Sequence, residues 1–307
     1  MASSSLIMIN NDLISIPGIK QSLSTFVSEA ASLVSKGDLI SDSDIHDARV
    51  SLKKARAILK LIRSQVQDDF FKREYETFRK SGRALCDLRE STVHRKLLKE
   101  LKKKSPVVFR NLDNELVEKL IKKPGKPEGM AAETLKSLDG IATSLQKSVY
   151  RIRFEPLGNL KQAGLLRDLG STWSEVRNDY LGCRMDSSVK KIHEFRKRAK
   201  DFMYQLAFFK PYNPSQVKSV QKKSDVMTRG LGRHHDLAVL LKAIDYKSTS
   251  GNSPYFDELA ILIKGEQDRV LAKVWPLAYG LFGPSSVLED KLGVKVLILE
   301  SVSSQAG

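Results

Sequence analysis

The sequence contains only two cysteines, Cys86 and Cys183, and no Cys-x-x-Cys pair. Two thiols cannot build a disulfide framework, so we expect a reducing intracellular compartment. No run of 18 apolar residues occurs, which predicts that the chain has no membrane span. The first 20 residues lack a basic segment followed by a long apolar core, so we expect no secretory signal and no export.

Signatures of the common enzyme classes are also missing. There is no Gly-x-x-x-x-Gly-Lys phosphate loop, no Gly-x-Ser-x-Gly nucleophile turn and no acidic triad for magnesium. Aromatic residues make up only 7%, and they do not alternate with basic residues as in a base-stacking platform. We therefore predict a protein that is not an enzyme and that needs no cofactor.

Positive charge is the main feature that the sequence does have. The 307 residues carry a formal net charge of +16, and the pI is about 9.7. A field of this sign favours anionic partners such as nucleic acid, acidic lipid or condensed phosphate. We expect the protein in the cytoplasm or the nucleus, where polyanions would also favour nucleolar retention.

The segment from Ile45 to Arg63 carries two interlocked rows of side chains. The basic row advances in steps of three and four and consists of His46, Arg49, Lys53, Arg56, Lys60 and Arg63. The apolar row lies one residue earlier and consists of Ile45, Ala48, Leu52, Ala55, Leu59 and Ile62. One residue is about 100° of an α-helix, so the two rows lie side by side. The pattern predicts a helix, capped within residues 41–44, whose basic stripe faces an anion or open water.

The spacing His-x-x-Arg-x-x-x-Lys returns 147 residues later, at His193, Arg196 and Lys200. A second motif, from Arg83 to Val93, aligns with residues 229–239 at an offset of 146. Two matches at nearly the same offset predict an internal duplication. If the two copies pack about a pseudo-two-fold axis, their basic stripes face each other and line one central channel.

Helical periodicity over most of the chain predicts an all-α fold of two pseudo-symmetric four-helix bundles. The predicted parts are a flexible tail (1–16), a first repeat (17–155), a second repeat (156–285) and a C-terminal tail (286–307), with the boundary at Glu155-Pro156. Helices are predicted over 18–36, 70–101, 111–121, 131–154, 160–180, 189–209, 215–244 and 255–281. The one β-like run, 294–299, is either a tail segment or a frayed helix.

The two motifs resemble those of the CHAD family, a helical domain named for its histidines. The resemblance rests on residues 45–54, 192–200 and 231–241 and extends from about residue 15 to residue 285. It implies two four-helix bundles that bind inorganic polyphosphate in a central basic channel, without catalysis. Members of this family often accompany a triphosphate-tunnel enzyme marked by Glu-x-Glu-x-Lys. The nearest string here, Glu74-Tyr75-Glu76, lacks the lysine, so no attached phosphohydrolase is expected.

Two departures from the family pattern concern the site. The segment 164–180 keeps only Arg167 and Arg177 where the family is rich in arginine, and Cys86 and Leu88 replace smaller or more polar residues. The predicted polyphosphate-binding residues are His46, Arg49, Lys53, Arg56, Lys60, Arg83, Arg89, Arg167, His193, Arg196, Lys197, Lys200, Arg229, Arg233 and His234. Lys60 and Arg63 have no basic counterparts in the second copy beyond Lys210.

Three other interpretations of the charged residues are considered. In the first, the basic row is only the solvated face of an ordinary helix. In the second, His46 and His193 approach each other and bind a metal, which the neighbouring cations disfavour. The third is a nucleic-acid-binding or scaffold role for the outer basic surface, with nucleic acid as a secondary polyanion; the lysines of 102–104 and 122–123 belong to that surface. Glu90 and Asp236 are expected either to orient basic neighbours or to cap helices. Oligomeric state is not predicted.

Overall fold

The structure, a computed structural model, describes residues 16–87, 90–110, 132–248 and 254–292. Within these ranges the chain is all-α, as predicted, and contains no strand. The helices are α1 (Ile16–Val34), α2 (Asp42–Leu61), α3 (Asp68–Asp87), α4 (Glu90–Lys104), α5 (Pro106–Arg110), α6 (Ala132–Phe154), α7 (Gln162–Met185), α8 (Val189–Leu206), α9 (Pro214–Ser248), α10 (Pro254–Phe282) and α11 (Leu288–Leu292). The helix predicted over 111–121, the loop over 122–129, the β-like run 294–299 and Arg89 lie outside the described residues.

Helix α2 forms for the reasons that its sequence indicates. Ser41 is its N-cap, and Ser41 and Asp44 form a reciprocal capping box. Hydrogen bonds from Lys36 and then Ser41 lower the pKa of Asp44 to about 2. Every member of the apolar row is buried: Ile45, Ala48, Leu52, Ala55, Leu59 and Ile62. The prediction that this row faces the core is therefore confirmed.

Helices recur in the second half at nearly constant spacing. Those that begin at Ile16, Asp42 and Asp68 have counterparts that begin at Gln162, Val189 and Pro214. These offsets of 146, 147 and 146 residues match the offsets of the sequence motifs. The single helix predicted over 70–101 is described as α3 up to Asp87 and α4 from Glu90, with residues 88–89 outside the described ranges, and its counterpart α9 is one helix of 35 residues. The recurrence favours the duplication hypothesis.

The hydrophobic core joins the two halves. Its main cluster runs from Ile19 in α1 to Leu292 in α11 and contains residues of both halves. A second, smaller cluster lies among α4, α5, α9 and α10 and comprises Leu97, Leu98, Leu101, Phe109, Leu237, Leu240, Ile244, Leu259 and Ile263. Helix α11 lies in the segment that we predicted as a tail, and it buries Leu288 and Leu292.

A buried ion pair links α3 to α6. The Glu74 side chain is fully buried and accepts hydrogen bonds from Arg151 Nε at 2.5 Å and from Arg151 Nη2 at 3.1 Å. Arg73 Nε also donates to Glu74, at 3.0 Å, and Arg151 Nη2 donates to Ser148 at 2.9 Å. Bidentate pairing satisfies a carboxylate whose burial would otherwise be very costly.

Helices α2 and α8, which carry the two basic rows, pack against each other. Near their crossing the buried Gln205 Nε2 donates to the Ala57 carbonyl at 3.0 Å, and Lys60 Nζ pairs with Asp201 at 2.7 Å. No helix in the described ranges is long and apolar enough to cross a membrane. The fold therefore places the two repeated His-x-x-Arg-x-x-x-Lys motifs on neighbouring helices.

Candidate anion-binding site

The contact between α2 and α8 brings together cations from both copies of the His-x-x-Arg-x-x-x-Lys motif. Arg49 and Lys53 of α2 lie near enough to Arg196 of α8 for their charges to affect one another's protonation. Arg56, one turn beyond Lys53, contributes to the same field. We call Arg49, Lys53, Arg56, Arg196 and Lys200 the basic cluster.

Lys53 is the most strongly perturbed lysine of the basic cluster. Burial is the main cause that lowers its pKa to about 8, and the positive charges of Arg49 and then Arg196 add to this effect. No carboxylate of the described residues lies within ion-pair distance of Lys53. Its charge is therefore held among like charges at a cost to the empty protein. An arriving anion would relieve that cost.

The Arg196 side chain packs against helix α9. The Arg196 Nε donates weakly to the Thr228 carbonyl at 3.4 Å, and burial lowers the pKa of Arg196 against the opposing charge of Asp236. The guanidinium lies so close to Gly232 that a Cβ there would lie 3.0 Å from Arg196 Nη2 and 3.1 Å from Arg196 Nε. The absence of a side chain at Gly232 thus gives the guanidinium its space.

Gly232→Ala is expected to weaken anion binding several-fold while the free energy of unfolding changes by no more than about 1 kcal/mol. The added methyl displaces the Arg196 guanidinium, whereas alanine favours a helix over glycine by about 1 kcal/mol. Gly265→Ala in α10 is the control, because a Cβ there meets nothing within 4 Å. Calorimetric titration and chemical denaturation of both variants test this. Equal affinity of the two variants would contradict the assigned role of Gly232.

Two histidines stack beside the basic cluster. The rings of His193 on α8 and His235 on α9 lie 3.8 Å apart at an interplanar angle of 26°. Burial, then His235 and Lys197, lower the pKa of His193 to about 4, so the ring is neutral at pH 7. Both Nδ1 atoms are buried without a hydrogen-bond partner among the described residues. The structure therefore pairs His193 with His235, whereas the sequence hypothesis paired it with His46.

The α2 side of the cluster is bordered by α3. Arg49 donates to the Cys86 sulfur at 3.1 Å, and the guanidinium of Arg56 lies 5.9 Å from the centre of the Tyr75 ring. Lys60 Nζ lies at the same distance from that ring. Although burial opposes it, the nearby Asp201 carboxylate raises the pKa of Lys60. The charge of Lys60 is thus already balanced by Asp201.

An acidic residue of α9 contacts the α8 side of the cluster. Asp225 on α9 lies 3.4 Å from Lys200 Nζ and 3.1 Å from Arg229 Nε. Burial lowers the pKa of Lys200, and Asp225 partly offsets this. Lys200 also lies 5.9 Å from the Tyr204 ring.

Other predicted site residues are exposed or have partners of their own. His46 and Arg83 are exposed, and exposed Lys197 pairs with Glu194 on its own helix. Arg167 is exposed and donates to Ser64 at 3.2 Å, beyond the C-terminal end of α2. Two more have other partners: Arg233 pairs with Glu100 of α4 at 2.6 Å, and His234 is buried, with its carbonyl accepting a hydrogen bond from Gln267.

The sequence profile of the CHAD domain matches residues 20–245, which span α1 to most of α9. The chain belongs to the CHAD domain family. No match was found among curated proteins. The matched region of this CHAD chain includes both basic helices and all of the side chains in the basic cluster.

Two concave surfaces elsewhere in the CHAD chain suit a polyanion less well. Two adjoining clefts of about 400 and 530 Å³ lie between α1 and α6. Their basic side chains are Lys20 and Arg153, and Glu29 lies among them. No group of three or more His, Cys, Asp or Glu side chains in the described ranges could hold a metal ion. The basic cluster is therefore the best candidate site in this CHAD domain.

Some residues of the site had a sequence signal that we did not use. Asp225 precedes Arg229 by four positions, and Tyr204 follows Lys200 by four, so both could be placed on those helix faces. Gly232 lies within a motif already identified as family-like. Tyr75 and the stacking partner of His193 depend on contacts between separate helices, for which the sequence carries no local pattern.

Proposed function

We propose that this CHAD domain binds inorganic polyphosphate without catalysis, along the contact between α2 and α8. The observation that carries the proposal is the convergence of Arg49 and Lys53 with Arg196, where burial and then the neighbouring positive charges lower the pKa of Lys53 to about 8. Such a cluster of cations is unfavourable when it is empty and favourable when an anion is bound. A ligand with many regularly spaced negative charges fits it best.

The chemistry of the cluster matches phosphoryl oxygens. Arginine offers a planar fork of N–H donors, and lysine offers a compact charge with three donors. The five side chains of the basic cluster extend along two helices, so a linear chain can contact several of them at once. We propose that the chain of phosphates lies between the two repeats, in the predicted central channel. Because these contacts are to charge, they do not distinguish one phosphate unit from another.

Binding without turnover is part of the proposal. Phosphoryl transfer generally needs a metal or an oriented nucleophile beside the phosphates. The groups beside the cluster include the Cys86 thiol that Arg49 contacts, the Asp225 carboxylate that pairs with Lys200, and neutral His193, and they do not form a cluster of metal ligands. Incubation of the protein with polyphosphate and a divalent metal is therefore expected to release no orthophosphate.

Arg196→Ala is expected to weaken binding of long-chain polyphosphate at least tenfold in calorimetry, because it removes the guanidinium that packs beside Gly232. If five cations each neutralise one phosphate, the wild-type logarithm of affinity should fall with the logarithm of salt with a slope of roughly −3.5. Lys191→Ala is the control, since Lys191 lies on the same helix, is exposed and pairs with Asp186. The proposal fails if wild-type protein binds polyphosphate no better than orthophosphate at moderate salt.

The second candidate is nucleic-acid binding through the outer surface. Helix α4 supports it, because Lys96, Lys99, Lys102 and Lys103 are all exposed there. Competition distinguishes the two functions. RNA or DNA that binds with equal affinity to wild-type and Arg196→Ala protein uses the outer surface, whereas an anion of the basic cluster loses affinity in that variant.

A further inference from the structure

Asp225 is the acidic residue that contacts the basic cluster directly. Its carboxylate lies between cations of two helices, with Lys200 of α8 at 3.4 Å and Arg229 of α9 at 3.1 Å. A phosphate group bound at this position would meet the same two cations. The empty site therefore already contains an anion, supplied by the protein itself.

The geometry of this contact suits displacement. Asp225 is 44% exposed and Arg229 is 70% exposed, and the distance to Lys200 is long for an ion pair. Exposed pairs of this kind contribute little to stability. The pair of Lys60 and Asp201 is different, because its distance is 2.7 Å and both side chains are largely buried. Asp201 therefore stays paired with Lys60, whereas a ligand can displace Asp225 from Lys200 and Arg229.

We propose that Asp225 is an internal counter-anion that competes with the bound polyanion for Lys200 and Arg229 and so lowers the affinity of the site. The inference rests on the proposed function. A monovalent or short anion gains little when it replaces one carboxylate by one phosphate. A longer chain also gains the contacts at Lys53 and Arg196, with which Asp225 does not pair. A multivalent ligand can therefore bind although Asp225 competes with it.

The test uses the full chain and two probes, inorganic tripolyphosphate and long-chain polyphosphate. Asp225→Asn is expected to bind both about tenfold more tightly in calorimetry. Without Asp225, solution anions associate with Lys200 and Arg229 and are released on binding, so the salt slope should become steeper by roughly 0.7. Asp225→Glu keeps the negative charge and is expected to bind like wild type. Asp225→Ser serves as a second neutral variant.

Asp186→Asn is the matched control for net charge. Asp186 pairs with exposed Lys191 at 2.9 Å, away from the basic cluster, so this variant should keep wild-type affinity and salt slope. If Asp225→Asn and Asp186→Asn bind alike while wild-type protein binds polyphosphate, the role of Asp225 is wrong and the proposed function stands. If wild-type protein does not bind polyphosphate, the proposed function itself is wrong.

Discussion

Lys53→Met is expected to stabilise the empty protein and to weaken polyphosphate binding in the same variant. At pH 7 the folded state holds Lys53 charged although its pKa is about 8, compared with 10.5 for an ordinary lysine. A shift of this size corresponds to about 3 kcal/mol, so methionine should raise the free energy of unfolding by about 1 to 3 kcal/mol. Binding should weaken at least tenfold. Chemical denaturation and calorimetry at pH 7 measure the two effects separately.

The pH dependence of this prediction has a definite sign. A lysine whose pKa is lowered by folding destabilises the folded state below that pKa, and the penalty disappears as pH rises from about 8 to 10.5. The stability advantage of Lys53→Met should therefore shrink over that interval. Wild-type affinity for polyphosphate should fall over the same interval, because the lysine loses its charge. Lys54→Met is the control: Lys54 lies over the Phe26 ring, so its loss should not stabilise the protein. Stability gains of equal size in both variants would contradict the prediction.

Arg151→Met is expected to have the largest effect on folding, a loss of about 3 kcal/mol in the free energy of unfolding. The variant leaves the fully buried Glu74 carboxylate without its bidentate partner, and removing one member of a buried pair typically costs 3 to 5 kcal/mol. We expect the lower end of that range because Arg73 still donates to Glu74. Urea denaturation provides the measurement.

The double variant Glu74→Leu/Arg151→Met separates charge from packing. If the loss in Arg151→Met arises from a stranded carboxylate, replacing both partners by apolar side chains should recover most of the stability. A double variant no more stable than Arg151→Met would instead indicate that packing of the arginine stem dominates. Under folding conditions, Arg151→Met and the double variant should bind polyphosphate with wild-type affinity, because this pair joins α3 to α6 and contacts no member of the basic cluster.

Much of the fold follows from local patterns in the sequence. The N-cap of α2 and its buried row were predictable because a capping box and a helical period each depend on residues within a few positions of one another. The all-α class follows from the same periodicity. The packing of α11 was not predicted, because it depends on contacts with distant parts of the chain.

The site was predictable in part for a related reason. The duplicated motif identified Arg49, Lys53, Arg196 and Lys200, which the structure brings into one electrostatic cluster. It also suggested Arg233, which instead pairs with Glu100 of α4. A repeated motif indicates which residues correspond, but the partner of each depends on how α3, α4 and α9 pack.

The second hydrophobic cluster has a consequence for the order in which the chain can fold. Leu97, Leu98 and Leu101 of α4 belong to the first half, yet they are buried with residues of α9 and α10. During synthesis of the chain, these leucines cannot be buried until their partners emerge, well over a hundred residues later. Such long-range contacts also form slowly. The first half therefore cannot complete its own core before the second half appears. The contact between α2 and α8 has the same requirement, so a competent anion site and a closed core arise together, late in folding.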